Sequence, residues 1–563
     1  MPKNSQKIGE ASFKTAVFQE YFGNKKFKYM QEVDRIDFVI TDNAENHLET
    51  YWDYIIERRD LLVPQDIRER KGSFFTPQIW VQKSQEYLTK VFGVNWQDEY
   101  YIWDCAAGTG NLLVGLTNKY NIWASTLDNQ DVGVMRDRIK NGANLLENHV
   151  FQFDFLNDEF TKLPEGLKQI IDDPEKRKKL IIYINPPYAE DASTGAVANK
   201  VGVALNLVHD KYAGYLGKAN HELFAQFIAR IYFELSSCKI GIFSKLKTFN
   251  APNFNAFRQF FKAKLNACFV VQANTFDNVK GKFPIGFQIW DTNIKKGIKK
   301  TKCDVLDNNG NVVRKKTFFS YDGDSFINEW IKGFYLPDVN KNEKIIILGI
   351  LNYKGNDFQQ QRIVYISNSG SAALTQMRIT QNNLIASCIY YTIRHVIPAD
   401  WLNDRDQFLY PNDGWKKDKI FQNDCLVFTL FNNNILSQRD GTNHWIPFTA
   451  QEVGAKDNFK SDFMSNYLKE RKFSKEANAV IKAGKELWTY YHSKIKGNDK
   501  ILLNASFYDI REFFQGRSKT SGSMNTKSND DTHNNLIKIL RQKKLVLAEK
   551  IQPKVYEYGF LME

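Results

Sequence analysis

The tightest constraint on this chain is a run of apolar residues, Leu180-Ile181-Ile182-Tyr183-Ile184, that stops dead at Asn185-Pro186-Pro187-Tyr188. A short, unbroken apolar run ahead of a Pro-Pro pair reads as a buried parallel strand emptying into a rigid loop. Pro187 has no N–H and holds Pro186 extended, so the Pro186 carbonyl can be aimed outward without a neighbouring donor competing for it. Asn185 adds a side-chain oxygen acceptor, and Tyr188 adds an aromatic face. Two acceptors held close together suit a planar NH2 group that must be gripped and made more nucleophilic, with Tyr188 stacked on the ring that carries it. A plain strand-to-turn connection could use the same residues, so the rest of the chain has to decide.

A chain of 563 residues is long enough for two or three domains with separate cores. Hydrophobic residues at 43% and charged residues at 25% describe a globular protein. No 18-residue apolar run occurs, and Met1-Pro2-Lys3-Asn4-Ser5 has no signal-peptide core, so a cytoplasmic, membrane-free protein is expected. Six cysteines without CxxC spacing are expected to be free, buried thiols, with neither a zinc site nor disulfides. The net charge of +13 is compatible with a polyanionic partner.

At the N-terminus, Ile36-Asp37-Phe38-Val39-Ile40 resembles the first strand of a small α/β nuclease core. Such a core needs a second carboxylate and a lysine to hold a metal on a phosphate, and no Glu-x-Lys follows Asp37. Residues 51–61 read as a helix. The segment is expected to be a nuclease-like remnant or a structural cap.

A basic patch (Arg68, Arg70, Lys71) then leads to Phe74-Phe75-Thr76-Pro77, where Thr76 fits an N-cap and Pro77 a first helical residue for an amphipathic stretch over Ile79 to Leu88. In Tyr101-Ile102-Trp103-Asp104-Cys105-Ala106-Ala107-Gly108-Thr109-Gly110, a strand ends at Asp104, small residues turn, and a helix is expected from Asn111. The small residues let a ligand approach the backbone, and Asp104 suits an ammonium better than a pyrophosphate. A strand over Ile122 to Leu127 ends in Asp128, placed to hold a ribose diol, with a helix from Asp131. A third, Val150 to Phe153, ends in Asp154-Phe155-Leu156; Asp154 could accept from an adenine amino group and Phe155 could pack on its face. Polar groups recurring at four successive strand ends point to one ligand crevice at the carboxyl edge of a sheet.

In this order, Phe75-Thr76-Pro77, Asp104-Cys-Ala-Ala-Gly108-Thr-Gly110, Asp128, Asp154-Phe155-Leu156 and Asn185-Pro186-Pro187-Tyr188 resemble the gamma class of N6-adenine DNA methyltransferases, over roughly residues 68–292. The resemblance implies a Rossmann-like α/β sheet that binds S-adenosylmethionine, followed by a C-terminal target-recognition domain. It implies that Thr76 and Asp104 hold the methionine end of the cofactor, with Ala106, Gly108 and Gly110 lining it. Asp128 would take the ribose, and Asp154 with Phe155 the adenine. Asn129 stands after Asp128 where many relatives carry a further acid. Asn185 and the Pro186 carbonyl would accept the protons of the target amino group, beside Tyr188. No metal is needed.

Residues 189–220, rich in Ala, Gly and Asn with Lys200, Lys211 and Lys218, read as a basic flap. Helix and strand patterns alternate from Glu222 to Phe243 and beyond. Phe283-Pro284 before the last strand resembles the family position whose ring faces the catalytic tyrosine, so Phe283 would share the stacking of an extruded base with Tyr188. From about residue 300 onward no motif carries assignable chemistry. Basic residues interleaved with aromatics and Asn suit phosphate contacts with base-edge readout. Ser518 to Asn535 reads as a flexible linker ahead of a basic helix, Leu536 to Lys550, with apolar positions at Ile537, Leu540 and Leu547.

The expected organisation is an arm over 1–67, a methyltransferase domain over 68–295 and a DNA target-recognition domain over 296–563, acting as a monomer on double-stranded DNA in a restriction-modification setting. Two alternatives share the motif: a combined endonuclease and methyltransferase, which needs the missing Glu-x-Lys, and a protein-glutamine methyltransferase, whose substrate amide is also planar and weakly nucleophilic.

Overall fold

In the computed structural model, side chains are described for residues 76–188, 206–276, 279, 281–335, 345–432, 434, 436–438, 440–495 and 502–563. Of the first 75 residues it gives three strands, β1 (Ser5–Glu10), β2 (Phe27–Glu32) and β3 (Arg35–Thr41), in an antiparallel sheet with β3 in the middle. The side chains of Asp37 and the Arg68-Arg70-Lys71 patch, the helix expected over 51–61, and the 189–205 part of the expected flap lie outside the described residues. The chain divides into two compact units, Met1–Asp322 and Gly323–Glu563.

The first unit is built on a nine-stranded sheet: β4 (Tyr101–Asp104), β5 (Ile122–Thr126), β6 (Val150–Gln152), β7 (Leu180–Ile184), β8 (Lys239–Lys245), β9 (Lys264–Gln272), β10 (Pro284–Asp291), β11 (Lys300–Leu306) and β12 (Val312–Phe319). Their spatial order is β12-β11-β9-β10-β8-β7-β4-β5-β6. Strands β6, β5, β4, β7 and β8 run parallel, whereas β10 runs antiparallel between β8 and β9. The expected α/β class holds, with a mixed sheet. Every residue of β5, β7 and β10 is buried, as strands covered on both faces should be, and of the three only β7 is an unbroken apolar run. From β4 the chain steps outward through β5 and β6, then returns to lay β7 on the other side of β4. That reversal makes the carboxyl ends of β4 and β7 the switch point of the sheet, the place where sheets of this kind bind ligands.

The helices that matter to the switch point are α1 (Gln78–Phe92), α2 (Asn129–Lys140), α3 (Leu207–Leu216) and α4 (Leu223–Glu234). Helix α1 buries Trp80, Val81, Ser84, Tyr87 and Leu88, spaced at helical intervals. Helix α3 falls inside the stretch read as a flap. Asn206 caps it by accepting from the His209 N–H at 2.8 Å, and Val208, Tyr212 and Leu216 recur every four residues on its buried side. The sheet also continues past residue 295, since β11 and β12 extend it to Phe319 and the compact unit runs to Asp322. Backbone pairing of β11 with β9 explains the difference from a boundary drawn by motif content alone.

The second unit pairs a three-stranded antiparallel sheet, β13 (Gly349–Tyr353), β14 (Tyr365–Ser367) and β15 (Thr375–Ile379), with helices. The longest of these are α5 (Leu384–Val396), α6 (Lys419–Leu430), α7 (Lys475–Lys494), α8 (Phe507–Gln515) and α9 (Asp531–Glu557). Ile537, Leu540 and Leu547 are buried, as their spacing predicts. Helix α9 starts five residues before the expected Leu536, because Asp530 caps it through the His533 N–H at 2.9 Å. The segment ahead of it is tied down rather than loose: Arg517 donates to the Gly522 carbonyl and the Tyr508 hydroxyl, and Ser528 donates to the Phe514 carbonyl. All six cysteines are free and buried. Among the described residues no cluster of His, Cys, Asp or Glu could hold a metal ion, and no helix is long and apolar enough to cross a membrane.

Candidate active site in the crevice between β4 and β7

Asn185 leaves the carboxyl end of β7 with its amide fixed at both ends. Its Nδ2 donates to Thr76 Oγ1 at 2.8 Å, and its Oδ1 accepts from the Tyr188 hydroxyl at 2.6 Å. The first bond turns the oxygen of the amide toward donors rather than the NH2. Thr76 therefore does not cap α1. The helix starts one residue later, at Gln78 with Pro77 as its N-cap, and no side chain caps it. The hydroxyl that a local reading assigns to a cap is taken by an amide 109 residues away. Thr76 is held in turn through its carbonyl, which accepts from Asn111 Nδ2 at 3.0 Å. Asn111 thus belongs to the site, and only its place just after the glycine-rich loop hinted at it.

Below Asn185, Tyr183 of β7 shares a 2.5 Å hydroxyl–hydroxyl bond with Ser84 of α1, which fixes the helix that follows Thr76 against the strand that leads to Asn185. Tyr188 is 5% exposed and belongs to the same hydrophobic cluster as Tyr183 and Phe243. Burial pushes its phenol well above the usual range, so it is a neutral donor. Phe283 is half-buried against that same cluster, directly before β10, where its carbonyl accepts from Ala273 N–H at 2.8 Å.

One strand over, Asp104 ends β4. It is 1% exposed, accepts from the Ala106 N–H at 3.0 Å, and has no cationic side chain paired with it among the described residues. Burial drives its carboxyl up to about 8, with the Ala106 N–H pulling weakly the other way. The turn that follows needs its glycines: Gly108 sits at φ +51° and Gly110 at φ +81°, where a Cβ would press on Met135 at 3.1 Å. The Ala107 N–H binds the Ser125 carbonyl at 2.9 Å, tying the turn to β5.

The helix expected from Asn111 is reduced to a single 3₁₀ turn, Asn111–Leu113. Gln85 of α1 explains the stop: its Nε2 donates to the Val114 carbonyl at 2.8 Å, and Gly115 turns back at φ +87°. A cavity of about 380 Å³ lies between this turn and residues 138–145. Two of its polar side chains are spent on backbone, Arg138 on the Thr109 carbonyl and Asn144 on the Leu116 carbonyl.

At the next two strand ends, Asp128 accepts from the Gln130 N–H at 3.0 Å and so caps α2, which begins at Asn129 rather than Asp131. Asp154 folds its own turn, accepting from the backbone of Leu156 and Asn157 and from Asn157 Nδ2. Phe155 is not presented at the surface. It is 3% exposed, stacked on Phe227 at 5.1 Å and covered by the Arg230 guanidinium, 5.1 Å from its centroid. Its apolar ring was needed by the core, and a packing role lies closer to hand than the face-on contact read from sequence.

Lys245, at the carboxyl end of β8, was not singled out by sequence. It donates to the Tyr188 carbonyl at 3.2 Å and lies 3.3 Å from Glu222, which Lys247 also meets. Thr76, Asp104, Asn111, Asn185 and Tyr188 thus gather around two neighbouring parallel strands, while Asp128 and Asp154 stand at the next two strand ends.

No protein-family model matches the sequence, and no curated protein matches it. Solved structures show distant likeness to part of the chain. A DrdV–DNA complex aligns over 56% of this chain and 38% of its own at 13% identity, with a TM-score of 0.37. The ATP-dependent Type ISP restriction-modification enzyme LlaBIII bound to DNA aligns over 62% and 28% at 13% identity, TM-score 0.34. A modification subunit assigned to a type I restriction enzyme from Vibrio vulnificus YJ016 aligns over 48% and 55% at 11% identity, TM-score 0.31. The match spans less than two thirds of each of those chains. With TM-scores this low, the functional reading rests on the strand order and the side chains at the switch point.

Proposed function

We propose that the chain is an S-adenosylmethionine-dependent methyltransferase that modifies adenine N6 in double-stranded DNA, as the modification activity of a restriction-modification system. The observation that carries this reading is the Asn185 amide. It is anchored through its nitrogen to Thr76, offers its oxygen to a donor, and stands one strand from a buried carboxylate with no paired cation among the described residues.

The buried Asp104 fits the cofactor's ammonium, and the turn from Ala106 through Gly108 to Gly110 brings backbone rather than side chains to the ligand. In this reading Asp128 takes the ribose and Asp154 the adenine, with Phe155 as packing beneath them. When bound, S-adenosylmethionine supplies an electrophilic methyl group on a sulfonium. The chain then has to supply a competent nucleophile. The N6 lone pair is delocalised into the adenine ring, so Asn185 Oδ1 and the Pro186 carbonyl would accept hydrogen bonds from the two amino N–H groups and localise it as the N–C bond forms and the C–S bond breaks, the surplus N6 proton then passing to solvent. The Tyr188 hydroxyl now on Asn185 Oδ1 is the kind of donor that the amino group would replace. Extruding the base costs a few kcal/mol, which stacking on Tyr188 and Phe283 offsets.

The test is transfer of tritiated methyl from S-adenosylmethionine to mixed genomic DNA and, in parallel, to protein. Label recovered as N6-methyladenine supports the proposal. Label on glutamine in the protein fraction would favour the glutamine alternative, and no transfer to either would overturn the enzymatic reading.

A further inference from the structure

The Asn185–Tyr188 loop has an unusual mechanical problem. Pro186 and Pro187 carry no N–H, so the loop has few donors with which to fix itself. One end is anchored by β7 and by the Asn185–Thr76 bond. At the other end, Lys245 Nζ donates to the Tyr188 carbonyl at 3.2 Å. Lys245 is itself oriented: Glu222 Oε2 lies 3.3 Å away, and Glu222 Oε1 meets Lys247. Glu222 is 2% exposed and occupies the N-cap position of α4, yet its carboxylate makes no capping bond. It is turned toward the two lysines instead. A largely buried ionic trio is no more stable, and often less so, than apolar side chains of similar volume. Stability alone therefore gives no reason for this arrangement, whereas a fixed position for Tyr188 does.

We propose that Lys245, held by Glu222, is a positioning residue: it fixes the Tyr188 backbone so that the ring stands where it can receive the substrate beside Asn185. This rests on the methyltransferase reading, and its test separates the two. In DNA methylation assays Lys245→Met should lower kcat about tenfold or more, with cofactor affinity within twofold of wild type, and Lys245→Arg should recover most of the loss. The loss should shrink to less than twofold in a Tyr188→Ala background, because a residue acting through Tyr188 has nothing left to position. Equal losses in both backgrounds, or none, would overturn the proposal. If the wild-type chain methylates no DNA, the functional reading fails, and the positioning claim is then decided by hydrogen exchange. The Asn185 and Tyr188 amides should exchange at least tenfold faster in Lys245→Met and at the wild-type rate in Lys245→Arg. Unchanged exchange in the Met variant would overturn it.

Discussion

Asp104 shows how one buried side chain ties ligand binding to pH. Its carboxyl sits at about 8, above its ordinary value, so at neutral pH the ligand-free fold favours the protonated form. The sign follows: the stability this group contributes is complete below about 4 and is lost as pH rises through about 8. An ammonium ligand reverses the preference, because it pairs with the ionised form. Cofactor affinity should therefore climb by up to about tenfold per pH unit between pH 6 and 8, with release of a proton on binding. Above that, the ligand's own amino group begins to lose its charge, giving a bell. Calorimetry in buffers of different ionisation enthalpy reads the proton directly. Asp104→Asn should bind more weakly and lose the rising limb. A rising limb that survives in Asp104→Asn would place the titrating group elsewhere. The acid was visible in sequence because a strand stopped on it; that no described cation pairs with it was not, since that depends on everything packed around β4.

Elements were legible where one period ran unbroken. The apolar runs of β5 and β7 gave strands with correct ends to within a residue, and α1 lay where its buried spacing indicated. Reading failed where a distant side chain overruled a local signal. Thr76-Pro77 carries every mark of a capped start, but Asn185 takes the hydroxyl, and Gln85 ends the turn after Gly110 by occupying the Val114 carbonyl. Helix α3 was hidden by composition, although Asn206 with apolar residues four apart was signal enough. Close packing is another feature without a sequence signature. In α7 a Cβ on Gly484 would fall 2.0 Å from Cε1 of Phe431, a fully buried ring edge-on to Trp488. Gly484→Ala should therefore destabilise the second unit by about 1–3 kcal/mol despite the better helix propensity of Ala. A thermal melt at or above wild type would show that the ring can yield.

At the scale of the molecule, the boundary between units decides which truncations are informative. Cutting near residue 300 removes β11 and β12 and strips the edge of β9, leaving unpaired backbone groups that invite aggregation. Ending at Asp322 keeps the nine-stranded sheet whole. A 1–322 fragment should bind cofactor like the full chain but lose site-specific DNA binding, the second unit being our proposed reader of bases. Methylation of the same sites by the fragment would move recognition into the first unit. The charge of +13 makes a further demand on the whole chain. If roughly six to ten phosphates are neutralised, DNA affinity should fall by about a thousandfold or more between 50 and 200 mM salt, with cofactor affinity nearly constant. A flat salt dependence would argue for a substrate other than nucleic acid.

The central claim is that the anchored Asn185 amide activates an adenine amino group, and single-turnover methylation of DNA by wild type and Asn185→Ala tests it most directly. Losing one preorganised acceptor should slow transfer by a factor of about 10²–10³, roughly 3–4 kcal/mol, while the folded variant binds cofactor within a few-fold of wild type. Transfer to adenine N6 at a near-normal rate by that folded variant would contradict the account.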